Sequence, residues 1–241
     1  MKILDGLNAD VKAAVRHFWQ TRANQHQRQR EAGRSDQGAR SAVTGGAQMD
    51  GFVGLFERLI REAGMPDASI YRRQKIELPG FYRPTKEWDL LVVRDGQLVC
   101  VIEAKSQIGP SFGNNFNNRT EEAIGSAVDL WAAYRAGAFN ASLKPWLGYL
   151  FLLEDCARSR SAVKVQEPHF PVFPEFKSAS YALRYEILCR KLVRENLYSA
   201  AAFLTSTADK GTKGQFTAPA PDLAFSALAR SLVAQVAAHA D

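Results

Sequence analysis

The sequence predicts an α/β fold in which helices flank a mixed central β-sheet, in the order helix, strand, strand, strand, helix, strand. Two apolar runs, residues 90–93 and 98–102, flank Asp95-Gly96, which is typical of a β-hairpin. Residues 146–153 are continuously apolar and indicate a buried strand. Apolar residues at helical spacing on either side of these segments predict the flanking helices, with extra helices at both chain ends.

The predicted elements before the hairpin are two helices and a strand. The first helix spans residues 9–34, where an apolar stripe gives way to a polar, basic run from Arg22 to Arg34. That run is either a solvated helix end or loop, or an arm that lies on phosphates. A second helix over residues 49–63 ends at Gly64 and Pro66, and residues 69–78 alternate loosely as a strand.

The elements after the hairpin are less regular. A third helix is expected over residues 118–136, with Asn118 as its N-cap. Three prolines make residues 168–176 a stiff, irregular connection. The remaining expected elements are a helix over 179–196, a strand over 198–204 and a closing helix over 222–238. We expect one domain over 1–241, with a core at about 49–154, an N-terminal helical and basic arm (1–48) and a C-terminal helical extension (155–241).

The composition is that of a soluble globular protein, with 46% hydrophobic and 23% charged residues. No run approaches the roughly 18 apolar residues that cross a bilayer, so no membrane partner is expected. Three widely spaced cysteines favour free thiols and a cytoplasmic location. The net charge of +6 favours a polyanionic partner, although charge alone is a weak indication.

Charged residues stand at the open end of the predicted hairpin. Asp89 begins the first strand, and Glu103 and Lys105 end the second, where alternate residues share a face. Two carboxylates and an amine at one sheet edge suit a Mg²⁺-dependent phosphodiesterase, in which the carboxylates hold the metal and the lysine lies beside the attacking water. Such residues are also common in exposed hairpins, so a structural role is an equal alternative for this motif taken alone.

The register of the hairpin decides whether the acids meet. With a two-residue Asp95-Gly96 loop, Asp89 faces Ile102 and points away from Glu103. A three-residue loop with a G1 bulge places Asp89 opposite Val101, on the same face as Glu103. The metal-site hypothesis therefore predicts the three-residue loop, unless a second bulge restores the geometry.

This element order, with acids on the central hairpin, resembles the PD-(D/E)xK nuclease fold of type II restriction endonucleases. Asp89 and Glu103-Ala104-Lys105 match its motif, with Trp88 in place of the usual proline. Longer stretches resemble the XhoI family of restriction enzymes, and they are Tyr82-Arg83-Pro84-Thr85-Lys86, residues 109–119 and residues 168–177. The resemblance extends from about Gly38 to Ser206.

The resemblance implies an enzyme that cuts double-stranded DNA within the palindrome CTCGAG, leaving 5′-phosphates and short 5′ overhangs. It implies that Asp89 and Glu103 bind Mg²⁺, together with the backbone carbonyl of Ala104, while Lys105 orients the attacking water. Enzymes of this superfamily often place another acid on the preceding helix, so Glu57 is a third candidate metal ligand. An exposed helix glutamate is an equal alternative for Glu57.

DNA reading is expected from a stretch rich in asparagine. Asparagine can bond adenine N6 and N7, and arginine can bond guanine O6 and N7. The candidates at the start of the third helix are Asn114, Asn115, Asn117, Asn118 and Arg119, with Arg40 in a polar loop as a further candidate. The alternative is an Asn-rich loop that satisfies its own turns.

A palindromic target predicts a homodimer, in which each subunit cuts one strand. A matching DNA methyltransferase is expected as a genetic rather than a physical partner. Two other functions stay open. One is a repair or structure-specific nuclease on the same fold, and the other is an inactive, sequence-specific DNA-binding protein.

Overall fold

A mixed five-stranded sheet lies at the centre of the computed structural model, which describes residues 2–31, 47–140 and 142–240. Its strands, in spatial order, are β1 (Ile70–Tyr71), β4 (Leu90–Arg94), β5 (Gln97–Gln107), β6 (Trp146–Glu154) and β7 (Ala200–Ser206). β4 is antiparallel to β1 and β5, whereas β5, β6 and β7 are parallel. Two further strands, β2 (Glu77–Pro79) and β3 (Thr85–Glu87), form a separate antiparallel ribbon.

Helices cover both faces of this sheet. The five longer ones are α1 (Leu7–Glu31), α2 (Asp50–Glu62), α3 (Phe112–Arg135), α4 (Tyr181–Arg194) and α5 (Phe225–Ala237). Short helical turns span Lys2–Leu4, Ala47–Met49, Asp67–Ser69, Ala157–Arg160, Pro174–Phe176, Ala208–Gly211 and Pro221–Leu223. None of the described helices is long and apolar enough to cross a bilayer.

Two hydrophobic layers hold the helices on the sheet. α1, α2 and α5 pack on one face and α3 and α4 on the other, and each layer uses alternate side chains of the central strands. Residues Leu98–Ile102 of β5 are buried throughout, as expected for a central strand. This three-layer arrangement confirms the predicted α/β class and the order of its core elements.

The turn of the central hairpin differs from the prediction. Arg94 pairs with Gln97, so the loop contains only two residues. Asp95 and Gly96 have φ values of 51° and 75°, and two left-handed residues are what a type I′ turn requires. The three-residue loop is therefore wrong.

A bulge further along the hairpin replaces the predicted one. Val92 pairs with Cys100, whereas Val93 pairs with Leu98, which leaves Val99 as an extra residue in β5. Val99 and Cys100 consequently pack into the same hydrophobic layer, where a regular strand would send them to opposite faces. The bulge shifts the pairing of every residue beyond it by one position.

The segment predicted as a strand over residues 69–78 is interrupted. Only Ile70–Tyr71 pairs with the central sheet, and the next strand begins at Glu77 in the ribbon. Arg73 and Lys75 have φ values of 66° and 54°, which a pleated strand cannot accommodate. The chain therefore leaves the sheet here and returns as the β2–β3 ribbon.

α3 begins six residues before the predicted start. Phe112 is buried and stacks on Tyr181 of α4, with ring centroids 5.8 Å apart, so a tertiary contact fixes the first turn. Asn118 lies inside the helix, and the predicted N-cap is wrong. At the N-terminus, the basic run that starts at Arg22 continues α1 as far as Glu31, and Arg34 lies outside the described residues.

Candidate active site

The bulge in β5 brings the two predicted acids onto one face of the sheet. Leu90 pairs with Ile102, so the residues that follow at the open end of the hairpin, Asp89 and Glu103, face each other. Asp89 N donates a hydrogen bond to Ile102 O at 3.2 Å, and Asp89 Oδ2 accepts one from Ala104 N at 2.7 Å. The two carboxylates therefore lie on one face of the sheet, as a shared metal site requires. The bulge that aligns them is at Val99 and not in the turn, where it was predicted.

Lys105 completes the predicted triad. Its Nζ lies 2.6 Å from Glu103 Oε1 and 3.7 Å from Asp89 Oδ2. The Glu103 side chain is only 6% exposed, whereas those of Asp89 and Lys105 are 33% and 25% exposed. The cluster is therefore buried at Glu103, whereas Asp89 and Lys105 form an edge that solvent or a substrate can reach.

A second lysine, for which no sequence pattern predicts a role, also reaches this cluster. Lys86 of β3 donates to Glu103 Oε2 at 3.1 Å and lies 4.0 Å above the centroid of the Trp88 ring. Trp88, which stands in place of the usual proline of the motif, is buried, and its ring contacts the Lys86 ammonium. The one indication in the sequence of a role for Lys86 was the resemblance of residues 82–86 to the XhoI family. Nothing in the local sequence predicts that the β2–β3 ribbon approaches β5.

The charges of the cluster shift one another's pKa values. Burial, followed by the charge of Glu103, raises the pKa of the Asp89 carboxyl. Burial would also raise the pKa of Glu103, but Lys105 and Lys86 outweigh it and hold that pKa below its ordinary value. Burial opposes the charged form of Lys105, yet Glu103 and Asp89 raise its pKa, whereas for Lys86 burial dominates and lowers the pKa. At neutral pH Glu103 is thus a carboxylate and Lys105 a cation.

The donor set suits a hard divalent cation. The two carboxylates face each other at a partly exposed edge, and the carbonyl of Ala104 lies between Glu103 and Lys105 in the chain. Oxygen ligands of this kind, with room for water, are those that Mg²⁺ prefers. Asp89 and Glu103 therefore fit the predicted role of metal ligands.

Glu57 lies in a different set of ion pairs. Its carboxylate accepts hydrogen bonds from Arg61 and Arg72, each at 3.1 Å. No group of three Asp, Glu, His or Cys side chains that could hold a metal is found in the described part of the chain. The assignment of Glu57 as a third ligand has no support from this geometry and stays a prediction.

The asparagines predicted to read DNA lie in the first two turns of α3, not in a loop. Asn114, Asn117 and Asn118 are exposed, and Asn115 is half-buried. Within the described residues, no hydrogen bond engages these four side chains. The alternative of a loop that satisfies its own turns is therefore wrong.

Arg119 connects this helix to the cluster. Its Nη1 lies 2.5 Å from Glu122, and its charge acts on Lys105 by lowering the pKa of that lysine against the larger effect of the acids. The helix that presents the asparagines thus has its cationic side chain within electrostatic range of the triad. Arg40 lies outside the described residues and stays a prediction.

A buried glutamine connects β5 to two helices. Gln107 follows Glu103 and Lys105 on the same face of β5, and its Oε1 accepts a hydrogen bond from the Tyr185 hydroxyl of α4. Its Nε2 donates to the carbonyl of Ser111, at the start of α3, at 3.4 Å. The position of Gln107 two residues after Lys105 is visible in the sequence, but its hydrogen-bond partners are not.

A buried aspartate of α3 fixes the loop of the β2–β3 ribbon. Asp129 accepts hydrogen bonds from the amides of Phe81 and Tyr82, at 2.7 and 2.8 Å, and from Arg83 Nε at 2.6 Å. Phe81 and Tyr82 themselves are exposed. The ribbon that carries Lys86 is therefore attached to the helix that carries the asparagines.

Comparisons with known proteins identify the family of this chain. Residues 28–218 match the sequence profile of the restriction endonuclease XhoI family. The chain is 49% identical over 216 residues to the type II restriction enzyme BstVI of Geobacillus stearothermophilus, covering 88% of this chain and 96% of that protein. It is 52% identical over 185 residues to the type II restriction enzyme XhoI of Xanthomonas vasicola, covering 76% and 74% respectively.

A third relative, the type II restriction enzyme AbrI of Azospirillum brasilense, is 50% identical over 161 residues, covering 66% of this chain and 72% of that protein. No solved structure matches the chain. The family profile spans most of the sequence and includes the facing acids, the lysine and the asparagine-bearing helix turns. This protein belongs to the restriction endonuclease XhoI family.

Proposed function

We propose that this protein is a type II restriction endonuclease that hydrolyses double-stranded DNA within CTCGAG, with Mg²⁺, and leaves 5′-phosphates and short 5′ overhangs. The observation that carries the proposal is the convergence of Asp89, Glu103 and Lys105 at one edge of the sheet. The relatives BstVI, XhoI and AbrI are each named type II restriction enzymes. The CTCGAG target comes from the family resemblance.

The roles of the residues follow from their charges and positions. Asp89, Glu103 and the Ala104 carbonyl would hold Mg²⁺. When bound, Mg²⁺ lowers the pKa of a coordinated water and offsets negative charge on the phosphate. Lys105 stays cationic between the two acids, so it donates hydrogen bonds to the phosphate and orients the nucleophile instead of accepting a proton.

DNA recognition is proposed for the first two turns of α3. Exposed asparagine side chains without internal partners offer both donors and acceptors to base edges, and Arg119 offers a cation. The proposed DNA contacts are Asn114, Asn115, Asn117, Asn118, Arg119 and Arg40. A two-fold symmetric target suits a homodimer that cuts each strand once, with a DNA methyltransferase as genetic partner.

Digestion of a long, fully sequenced DNA tests this function. Purified wild-type protein is incubated with Mg²⁺ or with EDTA, beside Asp89→Ala, Glu103→Ala and Lys105→Ala, and all ends are mapped. We expect discrete, Mg²⁺-dependent ends within CTCGAG from wild type and from none of these three variants. Asp5→Ala, an exposed acid on the N-terminal segment, is the control and should cut normally.

Other outcomes would overturn parts of the proposal. Discrete ends at another sequence would keep the chemistry and reject the target. Cleavage that follows DNA structure and not sequence would indicate a repair-type nuclease. Binding without any cleavage would indicate an inactive DNA-binding protein.

A further inference from the structure

Two lysines share the single buried carboxylate of the active site. Glu103 accepts Lys105 at Oε1, 2.6 Å away, and accepts Lys86 at both oxygens, 3.2 Å from Oε1 and 3.1 Å from Oε2. Lys105 belongs to the family motif, whereas Lys86 has no part in the chemistry proposed above. The Lys86 side chain is only 14% exposed, so it is a buried charge that requires an explanation.

The consequence of the second lysine is a neutral cluster. The negative charges of Asp89 and Glu103 are matched by the positive charges of Lys105 and Lys86. A divalent cation that entered this cluster would meet two ammonium groups at close range, where a low dielectric makes their repulsion strong. Both oxygens of Glu103 are also already occupied by donors. Metal binding therefore requires that one lysine leave.

Lys86 is the lysine that can leave. Lys105 contacts both acids and shares β5 with Glu103, so its position is fixed by the strand. Lys86 belongs to the separate ribbon, and its ammonium is hydrogen-bonded to Glu103 and to the carbonyl of its neighbour Glu87, but not to Asp89. Its four-carbon stem allows the ammonium to swing while the backbone stays in place.

The ribbon itself is held firmly enough for such a movement to be local. Lys86 pairs with Leu78 across the ribbon, and the loop beyond them is bonded to Asp129. The Lys86 ammonium lies 4.0 Å from the centroid of the buried Trp88 ring, so the ring faces the group that is proposed to move. The loop between the two strands presents Arg83 and two exposed aromatic rings to solvent, a surface that suits a nucleic acid backbone.

We propose that Lys86 holds Glu103 in the DNA-free enzyme and transfers to a backbone phosphate of the bound duplex, so that the metal site opens only when DNA is in place. The phosphate competes with Glu103 for the ammonium, and the vacated carboxylate oxygen becomes available to the divalent cation. Lys86 is thus a positioning residue that couples metal binding to substrate binding. This proposal rests on the proposed nuclease function.

Metal binding without DNA gives the first test. Mn²⁺, which accepts the same oxygen ligands, is titrated calorimetrically into wild type, Lys86→Met, Lys86→Arg and Lys213→Met. Lys86→Met should bind Mn²⁺ about fivefold or more tightly than wild type, the lower end of typical coupling between two sites. Lys86→Arg and the exposed control Lys213→Met should match wild type.

The salt dependence of DNA binding gives the second test. Binding of a CTCGAG duplex is followed by fluorescence anisotropy in EDTA over a range of salt concentrations. Losing one phosphate contact should reduce the slope of log K against log salt by about one in Lys86→Met. Lys86→Arg should restore the slope, and Lys213→Met should not change it.

The outcomes separate this proposal from the function on which it rests. Unchanged Mn²⁺ affinity or an unchanged salt slope in Lys86→Met would overturn the role of Lys86. Failure of wild type to cut CTCGAG in Mg²⁺ would instead overturn the proposed function. If Lys86→Met does not fold, Lys86→Gln, which removes the positive charge and keeps a polar side chain, is measured in its place with the same expectations.

Discussion

Glu103 is the residue around which the active-site charges are arranged. Its carboxylate is almost fully buried, which costs free energy unless charged partners compensate. Lys105 and Lys86 supply that compensation from two different strands. Removing either lysine leaves the other in contact with Glu103, so variants at these positions should still fold.

Lys105→Ala should separate cleavage from DNA binding. Loss of a cation aimed at developing charge typically lowers a rate by about 10²-fold or more. The proposed DNA contacts on α3 are unchanged in this variant, so binding of a CTCGAG duplex should stay close to that of wild type. Single-turnover cleavage in Mg²⁺ and anisotropy in EDTA measure the two effects. Cleavage by Lys105→Ala at a near wild-type rate would contradict its assigned role, and Lys213→Ala is the control.

Asp129→Asn should destabilise the protein in a pH-dependent manner. Burial disfavours the carboxylate, but hydrogen bonds from Tyr82, Arg83 and Phe81 outweigh it and hold the pKa of Asp129 below its ordinary value. An acid with a depressed folded-state pKa contributes stability above its unfolded pKa of about 3.9, and that contribution is lost as the pH falls through the folded value.

Urea unfolding measures this effect. We expect Asp129→Asn to lose about 2 kcal/mol at pH 7, the cost of weakening several bonds to a buried acceptor, and the difference from wild type to shrink below about pH 3.9. Asp5→Asn, on an exposed side chain, should change little at either pH. A difference for Asp129→Asn that is constant across this range would show that its charge is not responsible.

At the scale of elements, the central hairpin sets the geometry of the site through two local features. The type I′ turn fixes the pairing near Asp95 and Gly96, and the bulge at Val99 then shifts it by one residue. Without the bulge, the two-residue turn would place Asp89 opposite Ile102. With this two-residue turn, the bulge is therefore needed to bring Asp89 and Glu103 together.

Two glycine substitutions should act in opposite directions on stability. Gly96 has a φ of 75° in the hairpin turn, so Gly96→Ala should cost about 1 kcal/mol through backbone strain although the space is open. Gly125 is an exposed residue within α3, and a Cβ added there would have open space around it. Gly125→Ala should therefore stabilise the folded protein by about 0.5–1 kcal/mol. Chemical denaturation of both variants checks the pair, and stabilisation by Gly96→Ala would contradict the left-handed turn.

At the scale of the whole molecule, the site lies where several layers meet. The end of β5 that carries Glu103 and Lys105 faces the layer of α3 and α4, and Lys86 of the β2–β3 ribbon contacts Glu103 there. Asp129 joins the ribbon to α3, and Gln107 joins β5 to Tyr185 of α4. Hydrogen bonds thus connect the candidate DNA-reading helix with the candidate cleavage site.

Two 26.7 kDa chains should bind each CTCGAG duplex, because a palindrome presents two identical half-sites. Analytical ultracentrifugation of the protein with a short duplex in EDTA, where no cleavage is expected, measures the mass of the complex. A duplex of the same length with a scrambled site is the control. A specific complex with one chain per duplex would refute the homodimer.

The sequence alone is enough to predict the central strands, most of the helices that cover them and the pairing of Glu103 with Lys105. These follow from apolar periodicity and from residues close together along β5, such as Glu103 and Lys105, which share a face of the strand by its two-residue repeat. The start of α3 was missed because Phe112 is fixed by a ring from a distant helix.

The register of the hairpin and the partners of the acid–lysine cluster depend on tertiary packing. Turn chemistry allowed two- and three-residue loops, and packing of both Val99 and Cys100 into one hydrophobic layer selects the bulge that aligns Asp89 with Glu103. Lys86 is separated from Glu103 by a strand change and by the whole central hairpin. Contacts of this kind depend on how layers stack, and no local periodicity encodes them.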